Sequence, residues 1–411
     1  MENVVFFDHV KIKILMIFVI GFSLACVFGY FSHRAKLSPI FGYLLAGYCI
    51  GPYSPGYVVD LQIAEQLAEV GVVLMMFSVG LHFEWQDLVK TKHIAIPGAI
   101  GQTLVASISG ILLLHIMGFS LSAGIIFGFA IGVASTVVLV RVLAEFELLH
   151  TFGGHISAGW LIVEDLFTVV ALLLLPNLAS SLNKDGFAYY DFSLSFLFLL
   201  AKFFLFLLIM FTVGRRVVSY FLSKIENTRS HELFTLSILA STFLIASCSA
   251  FIFGASLPLG SLVAGMVMRQ TPLRHRVSLN VMPMKDAFVV IFFLSIGMLF
   301  NPLSIVDHFT LFLGTLVIIL LIKPLVAFLI TIVLKLDTKV ALMVSLALAQ
   351  VGEFSFILSE EGTKLHILPD EAYDVIVACA IVSIPLNPVL FRIFGVSGIA
   401  VDHDKSDDSS H

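Results

Sequence analysis

Long apolar runs alternate along the chain with short stretches in which Gly, Pro and charged residues cluster. A helix needs roughly 20 predominantly apolar residues to cross the hydrocarbon core of a bilayer. On that measure the pattern predicts about thirteen spans, at 12–31, 37–52, 64–82, 94–117, 121–143, 155–180, 192–222, 232–253, 256–270, 286–300, 309–334, 338–359 and 371–395. Several of these are short, or are interrupted by small and polar residues, and are expected to be broken rather than straight.

Composition turns a set of apolar helices into a class of protein. Of 411 residues, 59% are hydrophobic and 12% charged, and the mean hydropathy is +1.04. A soluble domain carries about 25% charged residues, so the expectation is an all-α polytopic membrane protein. The net charge of -5 says little about partners, because what matters is where Lys and Arg fall relative to the spans, and no large basic face points to nucleic acid. Cys26, Cys49, Cys248 and Cys379 lie in apolar runs without a C-x-x-C or Cys/His spacing, so they read as small buried hydrophobes. No metal site and no cofactor is expected. No small-residue cleavage site follows the first apolar stretch, which is therefore read as a retained helix.

Charge matters by its place between spans. Arg34 and Lys36, Lys90 and Lys92, Arg141, the group from Arg215 to Arg229, the group from Arg269 to Lys285, Lys335 and Lys339, and Arg392 and Lys405 fall on one side. The other side has Lys11, Lys13, Lys184 and Lys364. The richer side is expected to be cytoplasmic, which puts the N-terminus outside and the C-terminus inside.

The chain also echoes itself. Gly42-Tyr43-Leu44-Leu45-Ala46-Gly47 resembles Gly260-Ser261-Leu262-Val263-Ala264-Gly265, and Ser78-Val79-Gly80 resembles Ser295-Ile296-Gly297, both at an offset of about 217 residues. The offset places the second span on the ninth and the third on the tenth. An odd number of spans separates equivalent positions, so the halves run through the membrane in opposite directions, the inverted-repeat plan of secondary transporters. The expected organisation is a transmembrane domain over 1–400 and an acidic cytoplasmic tail over 401–411. Within the domain, a repeat at about 12–180 and one at about 232–395 are joined by a linker helix at about 192–222.

Against this apolar background the ionisable residues are few. Glu164 and Asp165 sit side by side within Gly159–Leu175. An ionisable side chain at bilayer depth costs about 2.5–3.5 kcal/mol or more, so it ordinarily faces a bundle interior or a wet cavity and marks a functional site. Adjacent helical residues point about 100° apart, so the two carboxylates have different partners. Lys323, before Pro324, is the intramembrane cation, and either carboxylate is available to pair with it. Pro324 is expected to kink its span. Carrying the offset forward maps Ser135-Thr136 onto Gly352-Glu353, each in a cluster of small and polar residues. These are the expected helix breaks, approaching one another, with Glu353 compensating the like ends of the half-helix dipoles. Lys202 is expected to snorkel to an interface, and the histidines, at span ends and in loops, are given no ligand role.

Taken together, Ala134-Ser135-Thr136-Val137-Val138-Leu139, Glu164-Asp165, Lys323 and Gly352-Glu353-Phe354-Ser355-Phe356 resemble the Kef-type monovalent cation:proton antiporters of the cation:proton antiporter-2 group. The resemblance covers essentially the whole chain. It implies two inverted six-helix repeats with two crossing discontinuous helices, a dimerisation domain and a core domain moving as an elevator, and a homodimer in the bacterial inner membrane. It also implies that Asp165 carries the ion and the proton, and that Glu164 pairs with Lys323. The glutathione-gated members tend to have Gln-Asp where this chain has Glu164-Asp165, and Kef proteins usually carry a cytoplasmic nucleotide-binding domain after the last span. The acidic tail stands in that place here, so a regulatory domain or subunit would come from outside these residues.

The function expected is exchange of K⁺ or Na⁺ for H⁺ by alternating access, with both ions competing for Asp165. Ser135 and Thr136 would replace part of the cation's hydration shell. The rival reading is a ligand-gated potassium channel or efflux pathway without obligatory proton coupling, against which stands the lack of a repeated carbonyl-filter sequence. An intramembrane enzyme finds no H-E-x-x-H or G-x-S-x-G here. An organic-anion carrier on a similar plan is disfavoured by the anionic pair.

Overall fold

The computed structural model describes residues 14–35, 37–55, 60–82, 85–149, 151–182 and 189–394. The expected acidic tail, Lys11, Lys13, Lys36, Lys184 and Lys405, and the start of the first span lie outside these residues.

The described residues are helical, with no strand among them. In chain order the helices are α1 (Phe22–Arg34), α2 (Pro39–Ile50), α3 (Leu61–His82), α4 (Trp85–Ile116), α5 (Leu121–Gly132), α6 (Thr136–Glu145), α7 (Phe152–Leu182), α8 (Tyr189–Ile209) and α9 (Arg215–Glu226). They continue with α10 (His231–Phe253), α11 (Leu257–Arg269), α12 (Arg274–Leu299), α13 (Leu303–Asp307), α14 (Phe309–Val317), α15 (Lys323–Val333), α16 (Thr338–Ala347), α17 (Glu353–Lys364) and α18 (Asp370–Ile393). Among the described residues nine helices are long and apolar enough to cross a membrane, and α2, α5, α11 and α16 are shorter apolar helices. Two of the short ones end inside a predicted span. α5 is followed by α6 across 133–135, and α16 by α17 across 348–352.

Local chemistry sets several boundaries. Ser120 caps α5 by accepting from the Ala123 N–H at 3.2 Å, and Ser230 caps α10 by accepting from Leu233 at 3.3 Å. α10 ends at Gly254, whose φ of 73° lets its N–H turn back to the Ala250 carbonyl at 3.2 Å. Pro324 has no N–H for the carbonyl four residues back, and the helix there widens into a π turn over Ile318–Ile322. The disturbance expected at Pro324 takes this form.

The chain divides into two compact units, one formed by residues up to Ala25, Cys49–Phe83 and Leu172–Met298, the other by Cys26–Tyr48, Glu84–Ala171 and the chain from Leu299. In the first, α3 and α11 meet through small residues. A Cβ on Gly80 would stand 2.0 Å from the Leu262 carbonyl oxygen, and one on Gly265 2.1 Å from that of Phe77. Such closeness is how apolar helices associate where lipid gives no hydrophobic drive. Phe77, Phe206, Phe234, Ile238, Val263 and Val267 complete its core. Lys202 in this unit lies 4.7 Å from the centre of the Phe198 ring, a cation–π contact.

In the second unit α4 packs on α5, where a Cβ on Gly128 would stand 2.3 Å from the Ser107 carbonyl oxygen. α7 lies against α4 with the Trp160 ring over Gly98, and α15 also packs on α4. α17 lies on α5, and α18 on α16 and α17.

Candidate ion-binding site

Two helix interruptions face each other in the second unit. After α5 the backbone runs extended through Val133 (φ -97°, ψ 138°) to Ser135 (φ -85°, ψ 124°), whose hydroxyl caps α6 by accepting from Val138 N–H at 3.2 Å. After α16 the chain leaves the helix at Leu348 and re-enters at Glu353, with Gly352 extended (φ -94°, ψ 166°). The Gly352 N–H donates to the Val133 carbonyl at 3.2 Å, and the Gln350 amide donates to the Ser135 carbonyl at 3.0 Å. The interruptions, expected over 132–136 and 350–353, fall at 133–135 and 348–352 and touch, with Gly132 ending α5 and Thr136 and Glu353 already the first residues of α6 and α17.

Interrupted backbone in an apolar setting must find partners for its N–H and C=O groups. Side chains supply them. Gln102 donates to the Gly132 carbonyl at 3.0 Å and is itself held by the Trp160 indole N–H at 3.0 Å. The Ala134 N–H donates to Glu164 Oε2 at 2.8 Å. Lys323 donates to the Gln350 carbonyl at 3.1 Å, and Asn387 to the Leu346 carbonyl at 2.8 Å. Val351 N–H donates to the Ser383 hydroxyl at 3.4 Å, and the Ser355 hydroxyl donates to the Ala130 carbonyl.

Glu164, Asp165, Ser135, Thr136, Lys323 and Glu353 all belong to this unit. Glu164 and Lys323 are fully buried, Glu353 is 3% exposed and Asp165 9% exposed, while Thr136 is half-buried. The adjacent carboxylates have separate surroundings, as their angular separation on α7 requires. Glu164 is bound to the first interruption. Asp165 accepts from the Thr136 hydroxyl at 3.4 Å through Oδ2, and its buried Oδ1 has no hydrogen-bond partner. Glu164 and Lys323 act on one another through their charges, and each also hydrogen-bonds to an interruption, Glu164 to the Ala134 N–H and Lys323 to the Gln350 carbonyl. Glu164 and Glu353 both lie within electrostatic reach of Asp165. Glu353, the first residue of α17, sits where a helix N-terminus favours negative charge.

Three buried carboxylates against one buried ammonium make this an electronegative site, in which Asp165 Oδ1, beside Thr136, and Glu164 Oε1 are both buried without a hydrogen-bond partner. Gln102, Trp160, Ser383 and Asn387 escaped the sequence reading. Gln102 and Asn387 carried a usable signal, since each is a polar side chain inside an apolar span.

The site and the interrupted helices define a membrane-embedded ion carrier. The chain matches the sodium/hydrogen exchanger, transmembrane family over residues 21–395. It is 42% identical to a protein named as cation/proton antiporter YbaL of Escherichia coli strain K12, over 94% of this chain and 69% of that one. It is 31% identical to K(+) efflux antiporter 4 of Arabidopsis thaliana, over 86% of this chain and 59% of the relative. Both relatives extend beyond the part matched. The fold resembles that of the sodium proton antiporter MjNhaP1 from Methanocaldococcus jannaschii, with a TM-score of 0.65 at 16% identity, covering 94% of this chain and 98% of the other. The chain belongs to the sodium/hydrogen exchanger family and is of its Kef-type cation:proton antiporter branch.

Proposed function

We propose that this integral membrane antiporter exchanges a monovalent cation for H⁺ at Asp165. It is a transporter and not an enzyme. The observation that carries the assignment is the place of Asp165: its carboxylate stands beside the Thr136 hydroxyl where α5 gives way to α6, with Oδ1 unpartnered, whereas Glu164 is tied by Oε2 to the Ala134 N–H of the interruption itself. An ionised Asp165 offers that oxygen to a cation, and a proton on the same carboxylate removes it, so the ions take turns. This competition couples their movements. Ser135 and Thr136, with carbonyls of the interruption, would stand in for part of the hydration shell. The name of the K(+) efflux antiporter supports K⁺ as the cation, with Na⁺ the alternative to test.

Lys323 and Glu164 hold the interruptions in place and set the field around Asp165, and Glu353 offsets the positive end of α17. The antiporter relatives disfavour the channel reading, which would leave proton coupling without a role. The equivalent placement of the two interruptions at an offset of about 217 residues supports the inverted repeats joined by a linker over 192–222, and with them the thirteen spans over 1–400. One compact unit holds the whole site, and this reading takes that unit as the core domain, apart from a dimerisation domain. The homodimer, the cytoplasmic C-terminus with its acidic tail 401–411, the bacterial inner membrane and a regulatory nucleotide-binding domain or subunit belong to the same reading.

The test is Asp165→Asn reconstituted in proteoliposomes beside the wild type, with a pH dye reading proton movement driven by K⁺, Na⁺ or Li⁺ gradients. Cation-driven proton movement is expected to vanish while the folded protein is recovered in equal amount. Near-normal dye response in the variant would remove Asp165 as the carrier.

A further inference from the structure

Away from Asp165, the second unit holds an open cavity of about 1120 Å³ lined by Tyr30, His33 and Arg34 of α1, Arg141 and Glu145 of α6, and Arg392 of α18. Three guanidiniums there face one carboxylate. The three helices also end there, and basic side chains near helix C-termini ordinarily serve the last carbonyls. These do not. Arg392 Nη2 donates to Glu145 Oε1 at 2.7 Å, Arg141 Nη2 donates to His33 Nδ1 at 2.8 Å, and Arg34 Nη1 donates to the Tyr30 hydroxyl at 3.4 Å.

The contact between Arg141 and His33 is informative. A guanidinium has only donors, so in this contact the imidazole accepts at Nδ1. Arg141 therefore spends a charged donor on a ring nitrogen, with Glu145 acting on it through charge alone, and Arg34 spends one on a phenol. Only Arg392 is hydrogen-bonded to a carboxylate. Two guanidinium forks brought by different helices to one open cavity leave donors free for an anion, and planar forks match the paired oxygens of a phosphate better than a single ammonium does.

We propose that this cavity binds a phosphate-bearing anion, with Arg34 and Arg141 as the principal ligands and the Tyr30 hydroxyl as a further donor. The loop charges put all three arginines on the side expected to be cytoplasmic. Two sources of the chemistry meet there, a soluble phosphate compound and the headgroup of an anionic phospholipid.

The test uses the purified full chain in neutral detergent. Thermal melting is followed while inorganic pyrophosphate, or in parallel phosphatidylglycerol in mixed micelles, is titrated against potassium chloride at equal ionic strength. A saturable rise in melting temperature is expected from at least one of the two. A response to pyrophosphate assigns a soluble ligand, and a response to phosphatidylglycerol alone assigns a lipid. Arg34→Gln and Arg141→Gln should each raise the half-saturating concentration about tenfold, the effect of losing one charge-assisted hydrogen bond. Glu145→Gln should lower it by removing the competing negative charge, a gain of binding that a misfolded variant would not show. The proposal is overturned if neither probe exceeds the chloride control, if the response survives unchanged in the Arg34→Gln, Arg141→Gln double variant, or if Glu145→Gln weakens it.

Discussion

Glu164 and Asp165 differ by one position and by nearly everything else. One carboxylate accepts from the Ala134 N–H of the interruption and the other from the Thr136 hydroxyl, and each keeps its second oxygen without a hydrogen-bond partner. Lys323 is likewise committed, to the Gln350 carbonyl. The pair that sequence joined directly therefore meets through the electric field and through the two interruptions it stabilises. Lys323→Met alone leaves a buried carboxylate without its compensating cation, a loss on the order of 3–5 kcal/mol when a buried pair is broken from one side. Glu164→Gln keeps an amide oxygen that can still accept from Ala134. The double variant should consequently lose less thermal stability in detergent than the two single losses added together. Strict additivity, in both melting temperature and the pH profile of exchange, would show that the two charges act independently and would make Asp165 the partner of Lys323.

At the scale of elements, the interruptions were legible because their chemistry is local. Gly132-Val133-Ala134-Ser135 and Gln350-Val351-Gly352 bring small and polar side chains into apolar runs, and the unwound backbone falls there. What the sequence hid was the supply of partners. Gln102, Trp160, Ser383 and Asn387 lie far along the chain from the carbonyls and N–H groups they serve, and only packing brings them in. The contact of the interruptions is tight enough to test with one methyl group. A Cβ at Gly352 would stand 2.6 Å from the Ala134 carbonyl oxygen, and this neighbour is backbone that cannot swing aside. Gly352→Ala is expected to cost about 1–3 kcal/mol as overpacking does, and to reduce exchange strongly by parting the two interruptions. Normal melting and normal flux in that variant would refute the close approach.

Across the whole molecule, apolar length located the helices better than it measured them. The spans expected at 232–253 and 371–395 correspond to α10 and α18 almost residue for residue. By contrast, α4 begins at Trp85 and α12 at Arg274, each well before the apolar stretch that announced it. An apolar window senses the thickness of the hydrocarbon core, whereas a helix continues into polar surroundings as long as its backbone bonds are kept. Orientation can be tested on two turns between helices. With the four native cysteines replaced by Ser, a cysteine at Thr228, after α9, should react with a membrane-impermeant maleimide only from the cytoplasmic side. One at Gly118, between α4 and α5, should react only from the outside. Labelling of both from one side would undo the assignment of the termini and the count of spans beneath it.

The chain has two tryptophans, Trp85 and Trp160. The Trp160 indole is one hydrogen bond from Gln102, and Gln102 is one more from the last carbonyl of α5. That short relay makes the protein its own optical probe. In a Trp85→Phe background, the emission of Trp160 should shift when the transported cation is added, as occupancy of the neighbouring carboxylate alters the strain on the relay. The shift should disappear in Asp165→Asn. A spectrum indifferent to the cation in the active protein would mean that the first interruption keeps its shape throughout the transport cycle.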